Sequence, residues 1–548
     1  MQCKECKKKY EIGQVGKSIL VTLKITLPKL CDECSMRHLF SFRNERTFYS
    51  RKCDKCQKDI MAMYPAKTDY TVYCRDCWWG DKWDATKYAR NYSGPEKFFD
   101  ELKEMQKEVP REALVNLNSE NCDYCNHIRD SKDCYMCSLI ADKCEAIFNG
   151  YWITNSKNSS DSYYLRDSER CYFCIATIRS YDCSYLLECE DCIDCHYNYD
   201  LRGCKNCMFS SNLRNQNYMF KNKQLTEDEY KEKIEQIERG SYKESEKYYN
   251  QWKELIKNSI HVYSNQTKCE NSTGDNMQNC VNTENGYNSF ENENCYNAAS
   301  FLHADHVYAG LAVGSQPVQW SYNAVVTKGG SNVINCFNTA YSSDIYYSEN
   351  LVSCMDCLGC NGLHHKKFCI LNKEYEEDEY KKIKQELIKY WTENKIISDF
   401  FPQEFSCFGI NETAANDFYP IEKEDALKRG YKWKDDMPGN FNKDTIKIEN
   451  IEDNINEVKD DIIKKTLGCK NCGRNYKVIK PELELYRDLN IPISRECIDC
   501  KLRKRLDLMG DRNLVKRSCD KCKKEVLTKH KQDSKNVLCE SCYQKKIY

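Results

Sequence analysis

Residues 469–500 read CKNCGRNYKVIKPELELYRDLNIPISRECIDC, and residues 3–34 read CKECKKKYEIGQVGKSILVTLKITLPKLCDEC. Each stretch opens and closes on a Cys-x-x-Cys pair, and the interval between the pairs has the same length in both. A two-residue gap lets two thiolates of one tight turn reach a single tetrahedral ion, and the intervening residues allow the hairpin that brings the second pair across. The match extends outward. Cys3, Cys6, Cys31, Cys34, Cys53 and Cys56 recur 466 positions later as Cys469, Cys472, Cys497, Cys500, Cys519 and Cys522, while Cys74 and Cys77 return as Cys539 and Cys542, one residue short of that offset. Each end is therefore expected to hold two four-cysteine zinc sites, four ions in all. Iron in the same cage, or disulfides in an oxidising compartment, are the alternatives.

Met1-Gln2-Cys3 leaves no space for a signal peptide before the first pair, and no apolar run approaches the length of a membrane span. The expectation is a cytoplasmic chain with reduced thiols and no membrane partner. Charge is divided unevenly along it. The net charge is -1, but residues 1–77 hold 16 basic against 9 acidic side chains, residues 469–548 hold 21 against 11, and the middle carries the compensating excess of acid. Four thiolates around a divalent ion are net negative, so the metal sites themselves offset part of the terminal excess.

A second duplication lies between the two ends. Cys204 and Cys207 align with Cys354 and Cys357 at an offset of 150, and the register persists through Leu213/Leu363, Asn222-Lys223/Asn372-Lys373 and Glu229-Tyr230/Glu379-Tyr380. Within the first copy, Cys or Ser recurs at 162, 171, 183, 192 and 204, in steps of 9 and 12 that give a period of 21. Such a repeat, rich in Cys, Ser, Asn and Tyr, predicts a β-solenoid whose rungs bury small side chains only when stacked. The second copy shows that period poorly. Thr226-x-x-Glu229 reads as a capping box opening a helix at the end of the first copy. The many cysteines of the middle read as buried small side chains rather than further metal ligands, because the second copy has too few paired ones to repeat such sites.

The basic residues carry the candidate binding chemistry. Arg503, Lys504, Arg505, Arg512, Lys516 and Arg517 lie between Cys500 and Cys519; Arg37, Arg43, Arg46, Arg51 and Lys52 occupy the matching N-terminal interval. A basic segment held between two rigid metal modules suits a nucleic-acid backbone. The competing reading is that these cations offset the metal sites and solvate the surface. Trp78, Trp79 and Trp83 read as a hydrophobic dock more than as base-stacking platforms. Gly13-Gln-Val-Gly16-Lys17-Ser18 lacks the first glycine of a phosphate loop, and His303, His306, His364 and His365 have no catalytic companions, so no enzyme is expected.

Cys469-x-x-Cys472-Gly473, Tyr476, Glu482-x-x-Leu485-Tyr486, Pro492 and Cys497-x-x-Cys500-Lys501 resemble the small zinc-ribbon, treble-clef-like domain of many bacterial proteins. More widely, Tyr73-Cys-Arg-Asp-Cys-Trp-Trp79, Glu270-Asn-Ser-Thr-Gly-Asp275, Cys369-Ile-Leu-Asn-Lys373 and the run from Phe408-Gly-Ile to Gly430-Tyr-Lys-Trp433 resemble a tandem zinc-ribbon family of candidate-phyla-radiation bacteria. The resemblance spans nearly the whole chain and implies architecture, not activity. His364-His-Lys-Lys367 departs from the Arg-Asn-Lys-Lys element usual there, and Lys7 stands where the C-terminal ribbon has glycine.

The expected organisation is mostly β with short helices: tandem zinc ribbons at 1–90, a helical linker at 91–117, solenoid copies at 118–224 and 259–373 separated by a helical insert at 225–258, a helix and linker at 374–460, and tandem zinc ribbons at 461–548. The expected function is non-enzymatic binding. The ribbons would contact nucleic acid or a ribonucleoprotein without strong sequence preference, and the solenoid surface would face a protein partner. A purely protein-interaction scaffold with structural zinc is the first rival, and an enzyme using the solenoid thiols for redox or metal chemistry is the lesser one.

Overall fold

The computed structural model describes residues 1–301, 303–313 and 316–548. Among them strands outnumber α-helices thirty-five to twelve, in line with the mostly-β expectation. Two ladders dominate. The first runs from Asn116–Leu117 to Lys223–Gln224 and the second from Gln266–Thr267 to Lys373–Glu374, both parallel except for a short antiparallel closing strand.

The pairing period corrects the one read from sequence. Tyr163 pairs with Ile175, Cys171 with Cys183, and Cys195 with Cys207, so the register advances by twelve positions and not by twenty-one. The second copy has the same register, with Gly274 on Gly286 and Cys357 on Cys369. The underlying unit is shorter still. Every third residue is left-handed, as at Asn158, Asp161, Tyr164, Asp167, Arg170 and Phe173. The residue after each turns inward, and Ser159, Ser162, Leu165, Ser168, Cys171 and Cys174 are all buried. Steps of 9 and 12 are both multiples of three, so either one returns an inward position.

Each step has its own physical cause. The Cys183 thiol reaches the carbonyls of Tyr181 at 3.2 Å and Cys192, nine residues on, at 3.6 Å. The amide of Cys171 donates to the Ser159 hydroxyl, twelve residues back, at 3.0 Å, and that of Cys354 does so to Ser342 at 3.0 Å. Ser and Cys recur because they are small enough to sit inside and can satisfy backbone groups that would otherwise be buried unpaired. Left-handed non-glycine residues are costly. Asn and Asp lower that cost and stack along the outer side of the turns, as in Asn332 to Asp344 at 2.7 Å and Asn338 to Asn350 at 2.7 Å.

The register slips in both copies. Ser138 pairs with Tyr151, one position beyond the regular partner, beside the consecutive left-handed pair Asp142 and Lys143. In the second copy Gln266 pairs with Met277, one position short, and Ala304 with Val318, two positions beyond. The net excess is a single position in each copy, which is why the offset of 150 survives from end to end.

Nineteen of the twenty-two cysteines outside the terminal pairs are buried, all but Cys122, Cys269 and Cys407. A thiol reagent applied to the folded, metal-loaded protein is expected to label those three and leave the other nineteen until the chain unfolds. Rapid labelling of more than six in the native state would contradict the burial.

The two halves are related by a crossing. Helix Phe98–Glu108 leads into the first ladder but packs on the second, where Phe98 lies against Gly359 and Phe99 meets Tyr347 edge-on at 4.9 Å. Its counterpart in the other half, Tyr242–Asn258, leads into the second and packs on the first, with Tyr248 5.7 Å from Phe209 and the Trp252 indole donating to the Asn198 carbonyl at 3.0 Å. Arg111 meets Glu349 at 2.7 Å; the equivalent residues, His261 and Tyr199, meet at 2.8 Å. The terminal segments obey the same relation. Val72–Tyr73 pairs with Arg111–Glu112, and Val537–Leu538 with His261–Val262. Trp78 lies on His364 of the second ladder, and Tyr543 on Arg214 of the first. Trp78 is buried and donates to the Pro110 carbonyl, so it acts as a dock.

Candidate metal centres

Four groups of cysteines converge among the described residues: Cys3, Cys6, Cys31 and Cys34; Cys53, Cys56, Cys74 and Cys77; Cys469, Cys472, Cys497 and Cys500; Cys519, Cys522, Cys539 and Cys542. Within each, all sulfurs lie within 4.8 Å of one another. These are the sixteen residues expected from spacing. The inner cysteines of the ladders form no further group of three or more among the described residues.

Each centre is built in the same way. The residue after the first pair is left-handed (Lys7, Gln57, Gly473, Lys523) and its amide closes a turn onto the carbonyl of the first cysteine, at 3.1, 2.9, 2.9 and 3.0 Å. Only Gly473 takes that conformation without strain; Lys7, Gln57 and Lys523 adopt it nonetheless. The third cysteine then caps a helix: Cys31 before Asp32–Phe40, Cys74 before Arg75–Trp78, Cys497 before Ile498–Met509 and Cys539 before Glu540–Ile547. The second pair of sulfurs thereby sits at a helix N-terminus, which favours thiolate. Backbone amides add to this, with Cys31, Cys74 and Cys539 donating to the sulfurs of Cys3, Cys53 and Cys519 at 3.4, 3.2 and 3.3 Å.

The spacing fits a tetrahedral ion. A metal–sulfur bond of about 2.3 Å implies sulfur–sulfur edges of about 3.8 Å. The edges Cys6–Cys31, Cys56–Cys74, Cys469–Cys500, Cys472–Cys497 and Cys522–Cys539 are 3.6, 3.8, 3.7, 3.6 and 3.6 Å. Electrostatics point the same way. A hydrogen bond from Cys34 brings Cys31 down to about 5, against burial. Backbone amides overcome burial to bring Cys53 and Cys469 to about 7 and Cys519 to about 6. In three of the same cages burial and neighbouring thiols push Cys77, Cys497 and Cys542 up to about 12. Against burial, the Ser541 hydroxyl and the Cys542 amide lower Cys539 as well, so each cage favours some thiols as thiolates and resists others, and four thiolates together need a cation among them.

The basic residues read as nucleic-acid contacts are placed differently from that expectation. Arg37 is buried between Glu5 and Glu33, and Arg43 is buried against Glu45. Arg46 bridges Asp417 and Asp499, each at 2.8 Å, which ties one end of the chain to the other. Arg51 folds onto Asp54, and Arg517, at the matching position, onto Asp520. Arg505 is fully buried beside Asp161 of the first ladder at 3.3 Å, and Lys501 meets the same carboxylate at 2.7 Å. Arg512 lies over the Phe418 ring at 3.6 Å and donates to Tyr163. Lys504 pairs with Glu496 at 2.7 Å. Of the predicted contacts, only Lys52, Arg503 and Lys516 keep substantially exposed side chains, at 58, 43 and 75%. The others are matched to acids or aromatic rings because a buried guanidinium needs a partner, and Arg46, Arg505 and Arg512 lie against the first ladder.

Asp161, Glu188, Asp275 and Asp417 carry no predicted role as ion-pair partners in the sequence. Lys529 is buried between Glu188 at 2.5 Å and Asp275 at 2.9 Å, one carboxylate from each ladder. Those two acids hold its ammonium well above the usual value although burial opposes them, while burial and the Lys529 charge bring neighbouring His530 down to about 3. The signal available in advance was the acidic middle between basic ends, which is in part intramolecular complementarity. Comparisons with family models, curated proteins and solved structures find no match. No helix among the described residues is long and apolar enough to cross a membrane.

Proposed function

We propose that the chain is a non-enzymatic binding scaffold in which four zinc ions act as structural clamps and the two ladders form a duplicated β-solenoid. The observation that carries this reading is the fate of the terminal cations. Arg46, Lys501, Arg505 and Lys529 are paired with acids of the ladders and of the opposite end, so the ribbons serve to brace the solenoid. Zinc is favoured over iron because all-cysteine tetrahedral cages of this kind suit structural zinc and need no redox partner. Thiol ligands in this number fit a reducing, cytoplasmic setting.

The nucleic-acid reading of the ribbons retains Lys52, Arg503 and Lys516 as its remaining contacts. The test is a fluorescence titration with RNA and DNA over a range of salt, comparing the parent with Lys52→Ala/Arg503→Ala/Lys516→Ala. A change below twofold is expected if the ribbons are clamps. Three lost phosphate contacts would instead flatten the salt slope by two to three units, roughly 0.7 to 0.9 per contact, and return the ribbons as the binding surface.

A further inference from the structure

We infer that the cleft between the two ladders is a binding site for single-stranded nucleic acid. One wall is the first ladder, along His127, Leu139, Trp152 and Tyr164; the other is the second, at Phe290 and Lys328. The cleft measures about 1530 Å³. That exceeds the 300–1,000 Å³ or so of ordinary small-molecule pockets, and suits a segment of polymer.

The uncommitted groups specify its chemistry. Most lining charges are already paired: Arg129 with Asp142 at 2.7 Å, Lys132 with Glu145 at 2.7 Å, and Arg166 with Asp167 at 3.2 Å. Arg75, Lys143 and Lys328 line the cleft and form no ion pair with any described acid, against the single acid Glu120. The ligand is therefore anionic. Two buried polar groups at the cleft also lack partners, the Tyr164 hydroxyl and the Arg43 Nε, on side chains only 7% and 1% exposed. Both are donors and would donate to a ligand oxygen.

The aromatic groups favour nucleic acid over an acidic peptide. Tyr164 stacks on Phe290 at 5.9 Å and holds the two walls together, while Trp152 meets Tyr164 edge-on at 5.7 Å and stays half-buried, with ring surface left toward the cleft. Cations along a groove with an indole beside them are what base stacking and backbone neutralisation require. This site is separate from the terminal arginines and does not depend on them.

The test uses full-length, zinc-loaded protein and fluorescein-labelled 20-nucleotide poly-U and poly-dT, with polyglutamate and duplex DNA as competitors. Trp152→Ala is expected to weaken binding between about fivefold and a hundredfold. Lys143→Ala with Lys328→Ala should lower the slope of log affinity against log salt by one to two units, roughly 0.7 per lost contact. Lys257→Ala, on an exposed side chain of the helix Tyr242–Asn258 away from the cleft, should change neither. Zinc content and thermal unfolding of each variant, measured in parallel, separate a failed clamp from a failed cleft. No binding at low salt by a protein holding four zinc ions, binding insensitive to all three cleft changes, or displacement by polyglutamate at equal charge would each overturn the inference.

Discussion

If the four cages hold zinc as proposed, replacing Cys497 by Ser is expected to lower the bound zinc from four ions to three and to release the helix Ile498–Met509 from the first ladder. Cys497 is the cap of that helix, so one sulfur both closes the cage and fixes where the helix begins. Structural zinc binding in small ribbons amounts to roughly 10–16 kcal/mol of apparent free energy, most of it folding energy of the ribbon. The effect then spreads. The released helix carries Lys501 and Arg505, the two cations on Asp161, whose side chain is fully buried and also receives the Tyr486 hydroxyl at 3.2 Å. A carboxylate left there without either cation costs several kcal/mol more. Metal analysis reads the first effect, and proteolysis or amide exchange over residues 469–509 the second. A variant with four tightly held zinc ions, or with parental protection of that helix, would refute the clamp.

Lys529→Met is expected to destabilise the protein by about 3–5 kcal/mol, the usual consequence of removing one member of a buried ionic group. Met keeps most of the volume and removes only the charge. Glu188 and Asp275 then face each other's ladder with no cation between them, and the seam joining both copies to the C-terminal ribbon opens. The pH dependence follows from the shifts. In the parent, Glu188 is held below its usual value by Lys529 in spite of burial, so its contribution is present above the unfolded pKa and lost as pH falls through the folded one. Asp275 is raised by burial, with Lys529 opposing, and works in the other direction. Without the ammonium both carboxylates rise, so the deficit relative to the parent should be largest near neutral pH and shrink as acid protonates them. Adding Glu188→Gln and Asp275→Asn should restore most of the loss. Denaturant unfolding at pH 7.5 and 5.5 checks both statements; equal deficits at the two values, or no rescue, would refute the buried triad.

The metal centres were legible because their determinants are local. A Cys-x-x-Cys turn and a helix that begins at the third cysteine need only a few neighbouring residues, and the doubled spacing displayed them twice. Even Lys7, which lacks the glycine of its C-terminal counterpart, takes the same left-handed turn, since four converging sulfurs hold it there. The duplicated middle was legible for a similar reason, but its period was not. An inward position recurs every third residue, so Cys and Ser mark the inside at either step, and only backbone pairing picks the longer one as the register.

What tertiary structure alone decided is where the charges go. Arg505 and Lys516 are both basic residues between the same two metal centres; one is fully buried on Asp161 and the other extends into solvent. No local rule separates them, because the partner acid lies in the first ladder, far away along the chain, and is itself ordinary in sequence. The crossing of the halves has the same origin. Helices 98–108 and 242–258 lead into one ladder and pack on the other, a choice set by which apolar surface each finds when the whole chain closes, and not by any residue within the helices themselves.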